Sequence, residues 1–288
     1  MEKKKLLLLG ATGMAGHVAY YYLKSTGKYD ITNVVFKNKL NDESIVLDIT
    51  NKLATEKLVR VVQPDIILNC IGVLIKGSHL YPDNAIYINA YFPHLLERLA
   101  SEVNAKLIHI STDCVFSGMK GNYSETDIRD ADDTYGKSKG LGEVINNRDL
   151  TIRTSIIGPE IKQNGEGLFH WFMNQSGEIN GYLEAFWGGV TTLELAKAID
   201  TAIDQNNTGL VHLTNGDKIS KFDLLILFKD IWNKENVTIN PYQGKSIDKS
   251  LKVSNKFMFK VSSFLEMLLE QSKWMETYSN LYHDIYAK

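Results

Sequence analysis

Apolar positions fall into two periods along the first half of the chain. Residues 6–9 form a short, unbroken apolar run closed by glycine, the pattern of a strand buried on both faces of a parallel sheet. Ala15, Val18, Ala19 and Tyr22 then recur at helical spacing, Gly27 lets the helix end, and residues 31–36 supply a second strand. The alternation continues with a helix over 53–62, a turn at Pro64-Asp65, a strand over 66–69, a helix over 91–103 and a strand over 106–111. Such strand–helix units predict an α/β fold, with a Rossmann-like, mostly parallel sheet flanked by helices. A closed eight-stranded barrel would need more even repetition than the second half carries.

Beyond Arg153 the period loosens. Asn164 to Gly167 punctuates the chain, 169–187 is rich in aromatics, and a good helix and strand return at 192–203 and 209–213. The expected organisation is therefore interrupted: residues 1–158 with 190–215 build a nucleotide-binding domain, and 159–189 with 216–288 build a smaller, substrate-binding lobe.

Composition adds little to that plan and removes several alternatives. With 44% apolar and 23% charged residues in 288, this is an ordinary globular chain, and a net charge of -2 gives no global attraction to nucleic acid or an acidic membrane. Local anion sites remain open. Two cysteines, Cys70 and Cys114, cannot build a disulfide scaffold, and without a secretion signal a cytoplasmic protein is expected, as monomer or homodimer. The seven histidines, His17, His79, His94 and His109 among them, form no metal-ligand pattern, so no metal is expected. Residues 257–275 carry apolar positions at helical spacing but too many polar ones to cross a bilayer, and predict a domain helix.

The chemistry begins at Gly10-Ala11-Thr12-Gly13-Met14-Ala15-Gly16, between the first strand and the first helix. Glycines there allow a tight turn, a close approach to a diphosphate and close helix packing, while the helix N-terminus attracts negative charge. The spacing is GxxGxxG, not the GxGxxG of many dinucleotide folds. The second strand runs into Lys37, with Lys39 nearby, and has no acidic residue at its end for a ribose diol, which favours NADP over NAD. Asp48 can bind an adenine amine or cap the helix beginning near Thr50. The cofactor candidates are Gly10, Thr12, Gly13, Met14, Gly16, Lys37, Asp48, Ile49, Cys70 and Gly72, with Tyr135 and Lys139 farther along the chain.

Tyr135-Gly136-Lys137-Ser138-Lys139 follows, after ISTDCVFSG. If Tyr135 begins a helix, Lys139 lies one turn later on the same face, where an ammonium favours tyrosinate and can hold a nicotinamide ribose. Thr112 ends a strand and can orient a carbonyl oxygen beside them. Thr112, Tyr135 and Lys139 are thus the expected catalytic set for hydride transfer to a carbonyl, with Tyr135 protonating the resulting alkoxide. Cys114 nearby is expected to be a buried structural thiol.

On Gly10-x-x-Gly13-x-x-Gly16, Ser111-Thr112-Asp113-x-Val115-Phe116-x-Gly118, Tyr135-Gly136-Lys137-Ser138-Lys139, Gly142-Glu143 and Arg153-Thr154-Ser155, the chain resembles the extended short-chain dehydrogenase/reductase family, in the branch of dTDP-4-dehydrorhamnose reductases. The resemblance implies a Thr-Tyr-Lys reductase acting on a nucleotide-linked 4-keto-6-deoxysugar under a C-terminal lobe. It leaves dTDP- and UDP-linked sugars both open, because Ile156 stands where that branch usually carries Trp, and it does not extend to a magnesium-linked dimer, because GVLIKGSHLYPDNA lacks the usual acidic pair. Asn69, Gly72 and Asn89 are expected pocket supports or caps. Phe169 or Trp171 is expected either beside a nucleobase or in local packing, and Thr191 and Thr192 at a helix cap. An epimerase returning its hydride within one cycle, and a non-enzymatic dinucleotide sensor, satisfy the same motifs.

Overall fold

Leu6 and Leu8 face one side of a seven-stranded parallel sheet and Leu7 and Leu9 the other, so the apolar run near the start of the chain is buried on both faces. The computed structural model describes residues 2–286. In chain order its first part runs β1 (Lys4–Leu9), α1 (Met14–Ser25), β2 (Tyr29–Val35), β3 (Ile45–Val46), α2 (Lys52–Val62), β4 (Ile66–Asn69), α3 (Ile75–Leu80), α4 (Pro82–Ala85), a π-helical stretch over Ile86–Tyr91, α5 (Phe92–Glu102), β5 (Lys106–Thr112), a 3-10 turn at Asp113–Val115 and α6 (Thr134–Leu141). It continues through β6 (Leu150–Thr154), β7 (Ile156–Ile157), α7 (Leu168–Met173), β8 (Gly177–Tyr182), β9 (Ala185–Trp187), β10 (Val190–Thr191), α8 (Thr192–Asp204), β11 (Gly209–His212) and β12 (Ile219–Ser220). The last elements are α9 (Lys221–Ile231), β13 (Val237–Tyr242), β14 (Ile247–Asp248), α10 (Phe264–Thr277) and α11 (Ser279–Tyr286).

The sheet order is β11-β6-β5-β4-β1-β2-β3. Helices α1 and α8 cover one face through Val18, Leu23 and Ile199, and α2 and α5 cover the other through Val59, Phe92 and Leu96. Burying each such side chain contributes about 1.5–3 kcal/mol, which is why a continuous Leu run is kept inside a sheet covered on both sides. Strand order reverses between β1 and β4, and the carboxyl ends there open a crevice, the usual ligand position in doubly wound sheets.

The segments after β7 and after β11 add small sheets, β12-β9-β14 and the parallel pair β13-β8, packed on a separate apolar cluster around Phe172, Trp187, Phe228 and Met275. Between them α8 and β11 return to the large sheet. The helix expected over 257–275 begins only at Phe264. Ser263 and Glu266 form a reciprocal capping box that fixes the start, and the preceding Phe257 packs on the core of the large sheet instead. Among the described residues no helix is long and apolar enough to cross a membrane.

Candidate functional site

The crevice holds a cavity of about 550 Å³ lined by Gly10, Thr12, Gly13, Asp48, Ile49, Cys70 and Gly72 from the cofactor candidates. Gly10 takes φ +86°, and a Cβ on it would stand 2.9 Å from Ile71 Cγ1. A Cβ on Gly16 would overlap the Gly10 carbonyl oxygen, so α1 packs directly on the turn because both residues are glycine. The N-cap of α1 is Gly13, with no capping side chain and no acid in the first turn. Its first N–H groups are thus free for an anion, and the cradle fits a dinucleotide's diphosphate. Met14 lies in the first turn of α1, its side chain against Gly167 of the second lobe.

Two expected positions take other roles. Lys37 does not line the cavity: its ammonium lies 4.9 Å over the ring of Phe36, and Phe36, 55% exposed, is the lining residue. Asp48 lines the cavity while its Oδ1 accepts from the Thr50 N–H at 3.0 Å and the Thr50 hydroxyl at 2.7 Å. The cap of α2 is Asn51. Sequence reasoning missed Phe36 and also Lys162, which reaches the cavity from the loop before α7. No local pattern marks Lys162, because only the tertiary fold brings that loop over the cradle.

Beside the cavity, Thr112 ends β5 and Tyr135 opens α6, whose N-cap Asp133 accepts from the Gly136 N–H at 2.9 Å. The Thr112 hydroxyl donates to Asp113 Oδ1 at 3.1 Å and accepts from the Cys114 N–H at 3.1 Å. Burial pushes the Tyr135 phenol above its ordinary range and the nearby Cys114 thiol adds to this, while a hydrogen bond with Thr112 pulls it down. Lys139 is 4% exposed and donates to the Ile110 carbonyl at 2.7 Å. Burial brings its pKa down to about 8, against the opposing pull of Glu143 and Cys70. The spacing therefore sets both residues against β5, Tyr135 at Thr112 and Lys139 at Ile110, but the tyrosine is governed by burial and by Cys114 and Thr112, not by the lysine charge that the spacing suggests. Cys70 and Cys114 are both pushed by burial up to about 12, the behaviour of unreactive thiols.

A buried ionic cluster supports this wall. Glu143 accepts from Ser111 Oγ at 2.7 Å and from Arg153 Nε and Nη2 at 2.8 and 2.7 Å, and Arg153 Nη1 donates to His212 Nε2 at 2.8 Å. Burial disfavours the Glu143 charge, yet the Arg153 fork and Ser111 outweigh it and hold its pKa below the ordinary value. The cluster ties the segment just past α6 to β5, β6 and β11, and removing one partner would strand a buried charge.

Asn89 is a structural bridge, with Oδ1 accepting from the Val73 N–H at 2.8 Å and Nδ2 donating to Ser138 Oγ at 3.1 Å. Phe169 is buried 4.6 Å from the Trp232 ring, so it packs the lobe rather than facing a base, whereas Trp171 is 40% exposed. Thr191 caps α8 by accepting from the Glu194 N–H at 3.2 Å. Among the described residues no group of three or more His, Cys, Asp or Glu is arranged to hold a metal.

Known proteins share this plan. Residues 4–286 match the RmlD substrate binding domain family. A dTDP-4-dehydrorhamnose reductase of Aggregatibacter actinomycetemcomitans is 31% identical over 157 residues, a match spanning 52% of this chain and 51% of that protein. Methionine adenosyltransferase 2 subunit beta of Bos taurus is 24% identical over 257 residues, covering 84% of this chain and 76% of that one. In structure, the dTDP-4-dehydrorhamnose reductase of Bacillus anthracis, solved in complex with NADP, superimposes with a TM-score of 0.80 at 22% identity, over 95% of this chain and 99% of the other.

Proposed function

The chain belongs to the RmlD substrate binding domain family, and on that premise we propose that it reduces the 4-keto group of a nucleotide-linked 4-keto-6-deoxysugar with NADPH. One juxtaposition carries the proposal: an uncapped helix N-terminus and glycine cradle at the strand-order reversal, with the Thr112–Tyr135 pair at the end of β5 close by. Gly10, Gly13 and Gly16 hold the diphosphate, with Thr12 beside it. Phe36, Asp48 and Ile49 lie toward the adenosine end, and Cys70 and Gly72 toward the sheet centre. Bound there, NADPH supplies a hydride to the carbonyl carbon. Lys162 at this crevice, and the Lys37 ammonium over the ring of its lining residue Phe36, suit the added phosphate of NADP better than a ribose diol.

Tyr135 donates its phenolic proton to the carbonyl oxygen as negative charge builds on it. A phenol held above its ordinary pKa by burial stays protonated until that moment. Thr112 turns its hydroxyl from Asp113 to the same oxygen and stabilises the alkoxide. Lys139, one turn after Tyr135 and bonded to the Ile110 carbonyl, helps hold the nicotinamide ribose, and the lobe built by 159–189 and 216–288 covers the sugar nucleotide, dTDP-linked like the substrate in the relatives' name or UDP-linked.

The test supplies NADPH with a panel of dTDP- and UDP-linked 4-keto-6-deoxysugars and follows cofactor absorbance and sugar product. Net NADPH consumption is expected, and Tyr135→Phe should bind NADPH normally while losing about 100- to 10,000-fold in turnover. Cofactor retained with altered sugar stereochemistry would assign an epimerase instead. Relatives named as a subunit of methionine adenosyltransferase match a longer stretch of the chain than the reductase relative does, and the second reading is a non-enzymatic dinucleotide-sensing protein that serves as a subunit of another enzyme. NADPH binding without turnover on any sugar of the panel would select it.

A further inference from the structure

Asn69 and His109 are paired directly by the register of β4 and β5, and both are fully buried. The Ile71 backbone N–H, which can only donate, gives its hydrogen to Asn69 Oδ1 at 3.1 Å. The Asn69 amide nitrogen is therefore the end that faces His109 Nδ1, at 3.1 Å. An amide NH2 also only donates, so Nδ1 must accept, and a neutral imidazole then carries its one proton on Nε2. His109 Nε2 in turn faces Lys139 Nζ at 3.4 Å. An ammonium has no lone pair and would set N–H against N–H, whereas a neutral amine accepts from Nε2–H while still donating to the Ile110 carbonyl.

We propose that Asn69 and His109 are positioning residues that fix the protonation state of Lys139, a polarised series from Ile71 N–H through Asn69 and His109 that favours the neutral amine. The other groups facing the lysine leave this series in control. Glu143, just past the end of α6, is engaged by Arg153 and Arg129, Cys70 just after β4 is a neutral thiol, and Tyr135, one turn earlier on α6, is a neutral phenol. Burial of His109 keeps its imidazole uncharged, consistent with its donor role, and the lowered pKa of Lys139 agrees with the same arrangement. Any effect on turnover rests on the reductase reading. The lysine's protonation does not.

Selectively labelled protein tests it directly. Imidazole 15N spectra of the wild type should show His109 protonated at Nε2, and 13Cε titration should place the Lys139 midpoint well below that of an exposed lysine. In His109→Leu the midpoint should rise by about 0.5–1 pH unit, the worth of one lost hydrogen bond. Asn69→Asp supplies an acceptor to Nδ1, so it should move the imidazole proton to Nδ1 and raise the midpoint as well. It also keeps a folded comparison available if the leucine variant fails to fold. A wild-type Nδ1–H tautomer, or a Lys139 midpoint unmoved by these substitutions, would overturn the proposal. Neither readout needs a substrate, so failure of NADPH turnover leaves both intact.

Discussion

Lys139 shows how a single residue can be placed against the interest of stability. Its ordinary pKa of 10.5 falls to about 8 in the folded chain, chiefly through burial. Between those values the unfolded chain binds more protons, so this lysine makes stability rise as pH climbs from about 8 to about 10.5, with its full penalty present below that window. Lys139→Met should therefore raise the thermal midpoint at pH 7, lose that advantage at pH 10, and abolish reduction. A lower midpoint at pH 7 would mean that the bonds to Ile110 and His109 outweigh desolvation. At this scale the sequence was legible where chemistry has a spacing: Tyr135 and Lys139 one turn apart, and Thr112 at a strand end. Phe36 and Lys162 carry no such spacing, and Lys37 next door drew attention because charge is visible in a sequence while the face of an aromatic ring is not.

The helix bearing Tyr135 and Lys139 is short, and its packing comes from what it lacks. A Cβ on Gly136 would overlap the Cys114 carbonyl oxygen, and one on Gly142 the Asn89 carbonyl oxygen, so α6 lies directly on two backbone segments. Gly136→Ala should push α6 off the turn after β5, separating Tyr135 from Thr112. Turnover should drop with NADPH affinity retained, and stability should fall by about 1–3 kcal/mol, the usual cost of overpacking. Gly140→Ala is the control, since its Cβ would meet nothing nearer than Arg129 Cδ at 3.5 Å, and it should match or exceed wild-type stability. Equal losses in both variants would remove close packing as the explanation. Elements with a clean period, such as β4 and α8, were readable, because burial on one or two faces writes itself into the sequence. The start of α10 was also written, in Ser263 and Glu266, but the apolar spacing upstream masked it. Strands β8, β9 and β12 to β14 were not readable, since their partners lie far away in the chain and most are too short to show alternation.

Across the whole molecule, three buried histidines are held neutral by fixed partners, and none of this is visible in a net charge of -2. His17 Nδ1 donates to the Gly13 carbonyl at 2.8 Å and its Nε2 accepts from Tyr282 Oη at 3.0 Å, joining the helix of the glycine cradle to α11. Burial brings its pKa down to about 4, and His212, next to the Arg153 guanidinium, is likewise brought down to about 4. Burial takes His109 well below its ordinary value. From pH 6.5 downward the unfolded chain takes up protons that the native chain refuses, so stability falls with pH by up to about 1.4 kcal/mol per unit for each histidine. The loss continues until the folded values near 4 are reached. His17→Leu removes one of these protons but also two bonds, one to the Gly13 carbonyl and one to Tyr282 that seats α11. It should thus be less stable than wild type at pH 7, by about 1–2 kcal/mol, and lose less on acidification, so that the two urea midpoints converge between about pH 5 and 6 and cross below that. Parallel midpoints across that range would show that His17 is protonated in the folded state, and that the C-terminal helix is not held on the nucleotide-binding fold by a neutral imidazole.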